Sequence, residues 1–218
     1  MGKKIVIDTC VAIDLNTHLN DFLEEVLNCL GDDEIYISKV NFEELEDYKT
    51  ANVLRRSQKV YIKENNEEEF INFQNEIEPL CVNLENNDAH VLFLAKNENA
   101  DYVVSSDLNV FKQTSKYRKC IKYDRLVPFT TVDLLNYLYR TKRISGSAFS
   151  EKTLNLFKNK EIDNVFNHMA NEENLRCTKP EQVEIVKAYK KMLKERFEMY
   201  KRPIVDEFKY LWSLRIQT

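Results

Sequence analysis

Near its start the chain carries a short apolar run, Ile5-Val6-Ile7, that stops at Asp8. A run of that length bounded by a polar residue reads as a buried strand. Leu19, Phe22, Leu23, Val26, Leu27 and Leu30 then recur with helical spacing, one apolar face closed by Gly31. Ile35-Tyr36-Ile37 predicts a second strand, followed by a helix from about Asn41 through Arg55-Arg56. Glu64–Phe73 is acidic and predicted helical, Pro79–Leu84 extended, and Asn86 or Asn87 caps a helix to about Glu98. Tyr102–Ser105 predicts a third strand leading to Asp107, and Cys120–Tyr123 a fourth. Strands alternating with helices at this spacing predict an α/β fold: a parallel sheet of four or five strands sandwiched by helices.

From about Thr131 the pattern turns purely helical. Leu134, Leu135, Leu138 and Tyr139 form one stripe. Val183, Val186, Tyr189, Lys190, Leu193 and Phe197 form another, and Val205, Phe208, Leu211 and Trp212 a last short one. The chain therefore reads as an α/β domain over residues 1–140 and a helical C-terminal extension over 141–218. The turn at Ser145-Gly146-Ser147 is the best boundary signal.

Composition removes several function classes. The three glycines, Gly2, Gly31 and Gly146, are too few and too scattered for a phosphate-cradling loop or a dinucleotide fingerprint. The five cysteines contain no Cys-x-x-Cys pair and the three histidines do not cluster, which disfavours a thiolate zinc site or a disulfide framework. The apolar run before Asp8 is too short for a signal peptide and no stretch approaches a membrane span, so a cytoplasmic protein is expected.

Charge changes the picture further. The net charge is −4, but residues 1–149 carry 18 basic and 25 acidic side chains while residues 150–218 carry 14 and 11. Within Lys112–Arg125 six basic residues face one acid, with Tyr117 and Tyr123 among them. An acidic body with basic patches suits a metal-dependent nuclease, with carboxylates for cations and Lys and Arg for phosphates. Ordinary solvated helix faces are the plainer reading of the same pattern.

In an open parallel sheet, ligands bind beyond the carboxyl ends of the strands. Asp8 ends the first strand and Asp107 follows the third; each also suits a cap or a turn. Asp124, inside the basic segment, reads as a turn acid. On a helix from Asn41, Glu44 lines up with Val40, Tyr48 and Ala51, whereas Glu43 lies on a charged face, so Glu44 is the acid expected to point inward. Asp88 stands in the first turn of a helix whose apolar face includes Val91, Leu92 and Ala95. His90 on that helix reads as a partly exposed surface histidine. Carboxylates converging on one crevice repel each other, and the group is stable only if it protonates or holds cations. All-oxygen ligation suits Mg²⁺ or Mn²⁺, and such ions can activate water and neutralise phosphate oxygens.

The segments IVIDTCVAIDL, ISKVNFEELEDY, ENNDAHVLFLAK and ADYVVSSDLNVF, in that order, resemble the PIN-domain nucleases, including toxin ribonucleases of VapBC type. The resemblance covers roughly residues 3–130. It implies a PIN-like fold with Asp8, Glu44 (before Leu45), Asp88 (before Ala89) and Asp107 as catalytic metal ligands, and Ser105 supporting them by hydrogen bonding. Where the family often has Asn two residues after its first acid, Cys10 stands here. The extension lies outside the resemblance.

The expectation is thus a Mg²⁺- or Mn²⁺-dependent endoribonuclease. Lys112, Lys116, Arg118, Lys119 and Lys122 would hold the RNA backbone and Tyr117 would stack a base. An antitoxin or other protein partner and a homodimer are further expectations; the extension is expected to pack over the sheet or form a dimer face, with RNA grip by Lys187, Lys190, Lys191, Lys194, Arg196 and Arg202 as the alternative. Two other functions compete. One is a PIN-like scaffold that binds RNA or protein without cutting. The other is phosphoryl transfer through an aspartyl nucleophile, which needs a second acid where Cys10 stands.

Overall fold

The structure, a computed structural model, describes residues 2–79, 84–107, 110, 113–114, 117 and 126–159. Five parallel strands form one sheet: β1 (Lys4–Ile7), β2 (Glu34–Ser38), β3 (Val60–Lys63), β4 (Tyr102–Val104) and β5 (Val127–Phe129), in the order β3-β2-β1-β4-β5. Ile5, Val6 and Ile7 of the central strand are wholly buried, as a parallel strand covered on both faces must be. The α/β class with helices flanking a parallel sheet is as expected.

The helices are α1 (Thr9–Ile13), α2 (Phe22–Asn28), α3 (Lys39–Glu43), α4 (Tyr48–Arg56), α5 (Glu67–Ile77) and α6 (Asn86–Asn97), with a π-helical turn at Asp14–His18. Asn20 and Asp21 both take positive φ (53° and 61°), which separates the π turn from α2; Asn and Asp tolerate this region best among non-glycine residues. Gly31 at φ 64° turns the chain after α2 toward β2. The single helix expected over Asn41–Arg56 is two. Asp47 accepts from the backbone N–H groups of Lys49 (3.0 Å) and Thr50 (3.2 Å) and starts α4 afresh, so the chain breaks just after Glu44. The acidic helix begins later than expected, capped by Asn66, with Glu67, Glu68 and Glu69 in its first turn where the macrodipole favours them.

Two strands escape the sequence pattern, and both are edges. β3 carries an exposed Tyr61 and half-buried neighbours, so it lacks the apolar run of a covered strand. β5 contains Pro128, a residue confined to edge strands because it cannot donate to a ladder. The segment expected as a strand at Cys120–Tyr123 lies outside the described residues, as does most of Pro79–Leu84.

Under α6 the core is aromatic: Phe73 packs against Phe93 (ring centroids 5.3 Å) and Tyr117 (5.6 Å). Tyr117 is therefore a core residue with no exposed surface, and the expectation that it stacks an RNA base is corrected. Its companions Lys112, Lys116, Arg118, Lys119 and Lys122 lie outside the described residues. His90 is likewise buried rather than a surface histidine. Its ring stacks on Phe70 at 3.7 Å, and the Asn65 side-chain amide donates to Nδ1 (2.7 Å), which leaves the ring neutral with its proton on Nε2. Burial lowers the His90 pKa, so the unfolded chain takes up this proton at a higher pH than the folded one. Stability is expected to fall as pH drops below about 6.5. Unfolding free energies measured across that range should show a smaller loss in His90→Gln.

The chain divides into compact units Met1–Thr131 and Val132–Thr218. In the second, helix α8 (Gly146–Asn159) follows α7 (Thr131–Arg140), which begins at the division. Phe149 stacks on Tyr139 at 5.3 Å, and a Cβ at Gly146 would stand 3.3 Å from that tyrosine ring. The later stripes and basic residues of the extension lie outside the described residues.

Candidate functional site

The chain leaves β1 toward β2 and β3 on one side, then returns to place β4 and β5 on the other, so the topological switch lies between β1 and β4. In open α/β sheets, ligands bind beyond the carboxyl ends of the strands at such a point. Asp8 follows β1 there, and its backbone N–H still donates to the Val104 carbonyl of β4 (3.0 Å). Its side chain caps α1: Oδ1 accepts from the Thr9 N–H at 2.7 Å. Oδ2 accepts from the Ser105 hydroxyl (2.8 Å) and the Cys10 thiol (3.2 Å). Ser105 is the residue to which the family resemblance assigned a supporting role. Cys10 supplies a polar contact two residues after Asp8, at the position where the resemblance implied an asparagine. Its pKa is pushed well above the ordinary thiol range by burial, Asp8 and Asp14, so it stays a protonated donor rather than a thiolate ligand.

Glu44 caps the C-terminus of α3 and is exposed, yet its carboxylate turns back to the strand end. Oε2 lies 2.7 Å from the Thr9 hydroxyl, which stands equally close to the Asn41 carbonyl, and 3.4 Å from Asn41 Nδ2. Oε1 accepts from Asn87 Nδ2 at 2.5 Å. Asn41 is buried and also donates to the Asn87 carbonyl (3.2 Å), which ties α3 to the first turn of α6. Asp88 sits in that turn, half-buried. Asp107 is exposed; its backbone N–H donates to Ser105 Oγ (2.9 Å), and its Oδ1 accepts from the Val110 N–H (3.3 Å).

The four acids are therefore linked without forming one ligand shell. Asp8 and Glu44 make an electrostatic pair; Asp88 follows Asn87, which donates to Glu44, and the Asp107 N–H donates to Ser105, which donates to Asp8. Among the described residues no three histidine, cysteine or acidic side chains stand close enough to enclose a metal ion. Burial raises the Asp8 pKa; the Ser105, Cys10 and Thr9 hydrogen bonds pull it back in part, and the Glu44 charge adds to the rise. None of the ion pairs among the described residues involves Asp8 or Glu44. Two carboxylates that pair with no lysine or arginine among the described residues are a donor set that fits Mg²⁺ or Mn²⁺, because Mg²⁺ keeps several waters and binds through one or two carboxylates.

Sequence reasoning missed Thr9, Asn41, Asn87 and Asp14. The first three are visible as neighbours of named acids: directly after Asp8, at helical spacing before Glu44, and directly before Asp88. Asp14 opens the π-helical turn and is fully buried; its Oδ2 accepts from Ser106 Oγ (2.6 Å) and Thr131 Oγ1 (2.7 Å). π-helical turns recur at functional sites. Ser106 also donates its backbone N–H to Cys10 Sγ (3.2 Å), so this node fastens the turn after β4 to α1. Compared with protein-family models, curated proteins and solved structures, the chain matches none.

Proposed function

We propose that the chain is a Mg²⁺- or Mn²⁺-dependent endoribonuclease with a PIN-like fold. The observation that carries this reading is the Asp8–Glu44 pair, joined through Thr9 at the switch point of a parallel sheet and without a cationic partner among the described residues. Asp8 and Glu44 would hold the cation, and Asp88 and Asp107 would add negative charge from the first turn of α6 and the turn after β4. Ser105, Cys10 and the Thr9 amide fix both oxygens of Asp8, so no side-chain reorganisation is needed when charge arrives. Asn87 and Asn41 orient Glu44 from the start of α6 and the body of α3. Bound in that place, a divalent ion supplies water activation and neutralises charge on a phosphodiester.

Cleavage of a structured RNA pool in Mn²⁺ tests the reading. Wild-type protein is expected to cut with Mn²⁺ and not with EDTA, and Glu44→Gln and Asp88→Asn to cut about 10²-fold more slowly. Undiminished cleavage in both variants overturns it. RNA binding in EDTA without cleavage in Mg²⁺ or Mn²⁺ would instead favour the non-catalytic binding module.

A further inference from the structure

A cleft of about 700 Å³ lies between α2 and α4 and is closed by Ser57-Gln58-Lys59 before β3. None of the four acids of the proposed site lines it. Its charge is the reverse of its surroundings. Lys49, Arg56 and Lys59 face it against the single acid Glu24, whereas residues 1–149 as a whole carry 18 basic and 25 acidic side chains. Tyr48 lines the cleft and is 74% exposed, an unusual position for a large aromatic ring. No ion pair among the described residues engages Arg56. Lys49 pairs with Asp21 (2.6 Å), but both side chains are more than half exposed, and such a surface pair is worth little and readily exchanged for a phosphate. Lys59 donates to the Gly31 carbonyl (2.6 Å), a neutral acceptor, and forms no ion pair among the described residues, although its charge reaches Glu34.

A cationic groove beside an exposed aromatic ring is the combination that binds single-stranded nucleic acid: phosphates on the cations, a base on the ring. Apolar lining is confined to Leu27 and Val53, which does not suit an amphipathic helix from a protein partner. The cleft is also close to the proposed site along the chain. Only Leu45-Glu46-Asp47 separate Glu44 from Tyr48, so their backbones are no more than about 14 Å apart. We infer that this cleft binds a single-stranded RNA segment flanking the scissile bond, with Tyr48 stacking a base and Arg56 and Lys59 holding phosphates. The inference rests on the ribonuclease reading for its substrate.

Fluorescence anisotropy of a labelled oligouridylate with the full chain in EDTA tests it, because binding is then read without cleavage. Tyr48→Ala is expected to weaken Kd about tenfold. The double variant Arg56→Ala/Lys59→Ala is expected to weaken it at least about tenfold and to lower the slope of log affinity against log salt by about 1.4. Melting temperatures of the variants check folding, and Tyr48→Ala, at an exposed position, carries the test if the double variant does not fold. Affinities within about twofold of wild type, with an unchanged salt slope, overturn the inference, as does an oligouridylate that fails to bind the wild-type chain. The two readings fail separately. Wild-type protein that binds through the cleft but never cuts with Mg²⁺ or Mn²⁺ removes the nuclease and keeps the cleft. Protein that cuts RNA while the cleft variants bind and cut normally removes the cleft alone.

Discussion

Asp8→Asn is expected to make the metal-free protein more stable at neutral pH while lowering Mn²⁺-dependent cleavage about 10²–10³-fold. The two effects share one cause. Burial and the Glu44 charge raise the Asp8 pKa, so the folded protein holds that proton more tightly than the unfolded chain. Above the raised pKa the ionised carboxylate costs stability, and the cost fades as pH falls through that pKa toward the unfolded value near 4. Asparagine removes the charge, keeps one oxygen for the Thr9 amide, and offers an N–H₂ to Ser105 Oγ. Thermal melts in EDTA at neutral pH should show a higher Tm for Asp8→Asn, on the scale of about 2–4 °C per kcal/mol for a chain of this size. The gap should narrow as the buffer is acidified. A variant that melts below wild type in EDTA would mean that the ionised group is stabilising without a cation.

Asp14→Ala is expected to cost about 3–5 kcal/mol, the largest stability loss predicted for a polar residue of this protein. Asp14 has no exposed surface, and its Oδ2 accepts from Ser106 Oγ and Thr131 Oγ1, which are themselves 2.8 Å apart. Each of the two hydrogen bonds contributes about 0.5–1.5 kcal/mol, and leaving buried hydroxyls facing a void adds a desolvation cost of about 1–3 kcal/mol. Tm should fall by about 10 °C. Cleavage should suffer as well, because Ser106 also donates to Cys10 and adjoins Ser105, so the node sets the turn that holds Asp8. Asp14→Asn, which keeps one acceptor, should lose less on both counts. An alanine variant melting within about 2 °C of wild type would remove the node from the account.

How much of this was legible in the sequence follows from burial. β1, β2 and β4 sit inside the sheet, so both faces are apolar and Ile5-Val6-Ile7, Ile35-Tyr36-Ile37 and Tyr102-Val103-Val104 announce themselves. β3 and β5 sit at the edges, where Tyr61, Lys63 and Pro128 break the pattern. The choice of Glu44 over Glu43 by helical phase led to the acid that reaches Thr9 and Asn87, although the helix supporting that phase stops there and restarts at Asp47. Tyr117 and His90 were misplaced for one reason. Each lies near charged or polar neighbours in sequence, and only the tertiary fold brings Phe73 and Phe70 against them. Asp14 was hidden because its partners, Ser106 and Thr131, are far away along the chain.

The measurement that bears most directly on the central claim is a calorimetric titration of Mn²⁺ into the wild-type chain, Asp8→Asn, Glu44→Gln and, as a control on the same helix, Glu43→Gln. The account predicts Mn²⁺ binding in wild type and in Glu43→Gln and its loss in Asp8→Asn and Glu44→Gln. Mn²⁺ isotherms that are the same in all four proteins, or flat in all four, would contradict it.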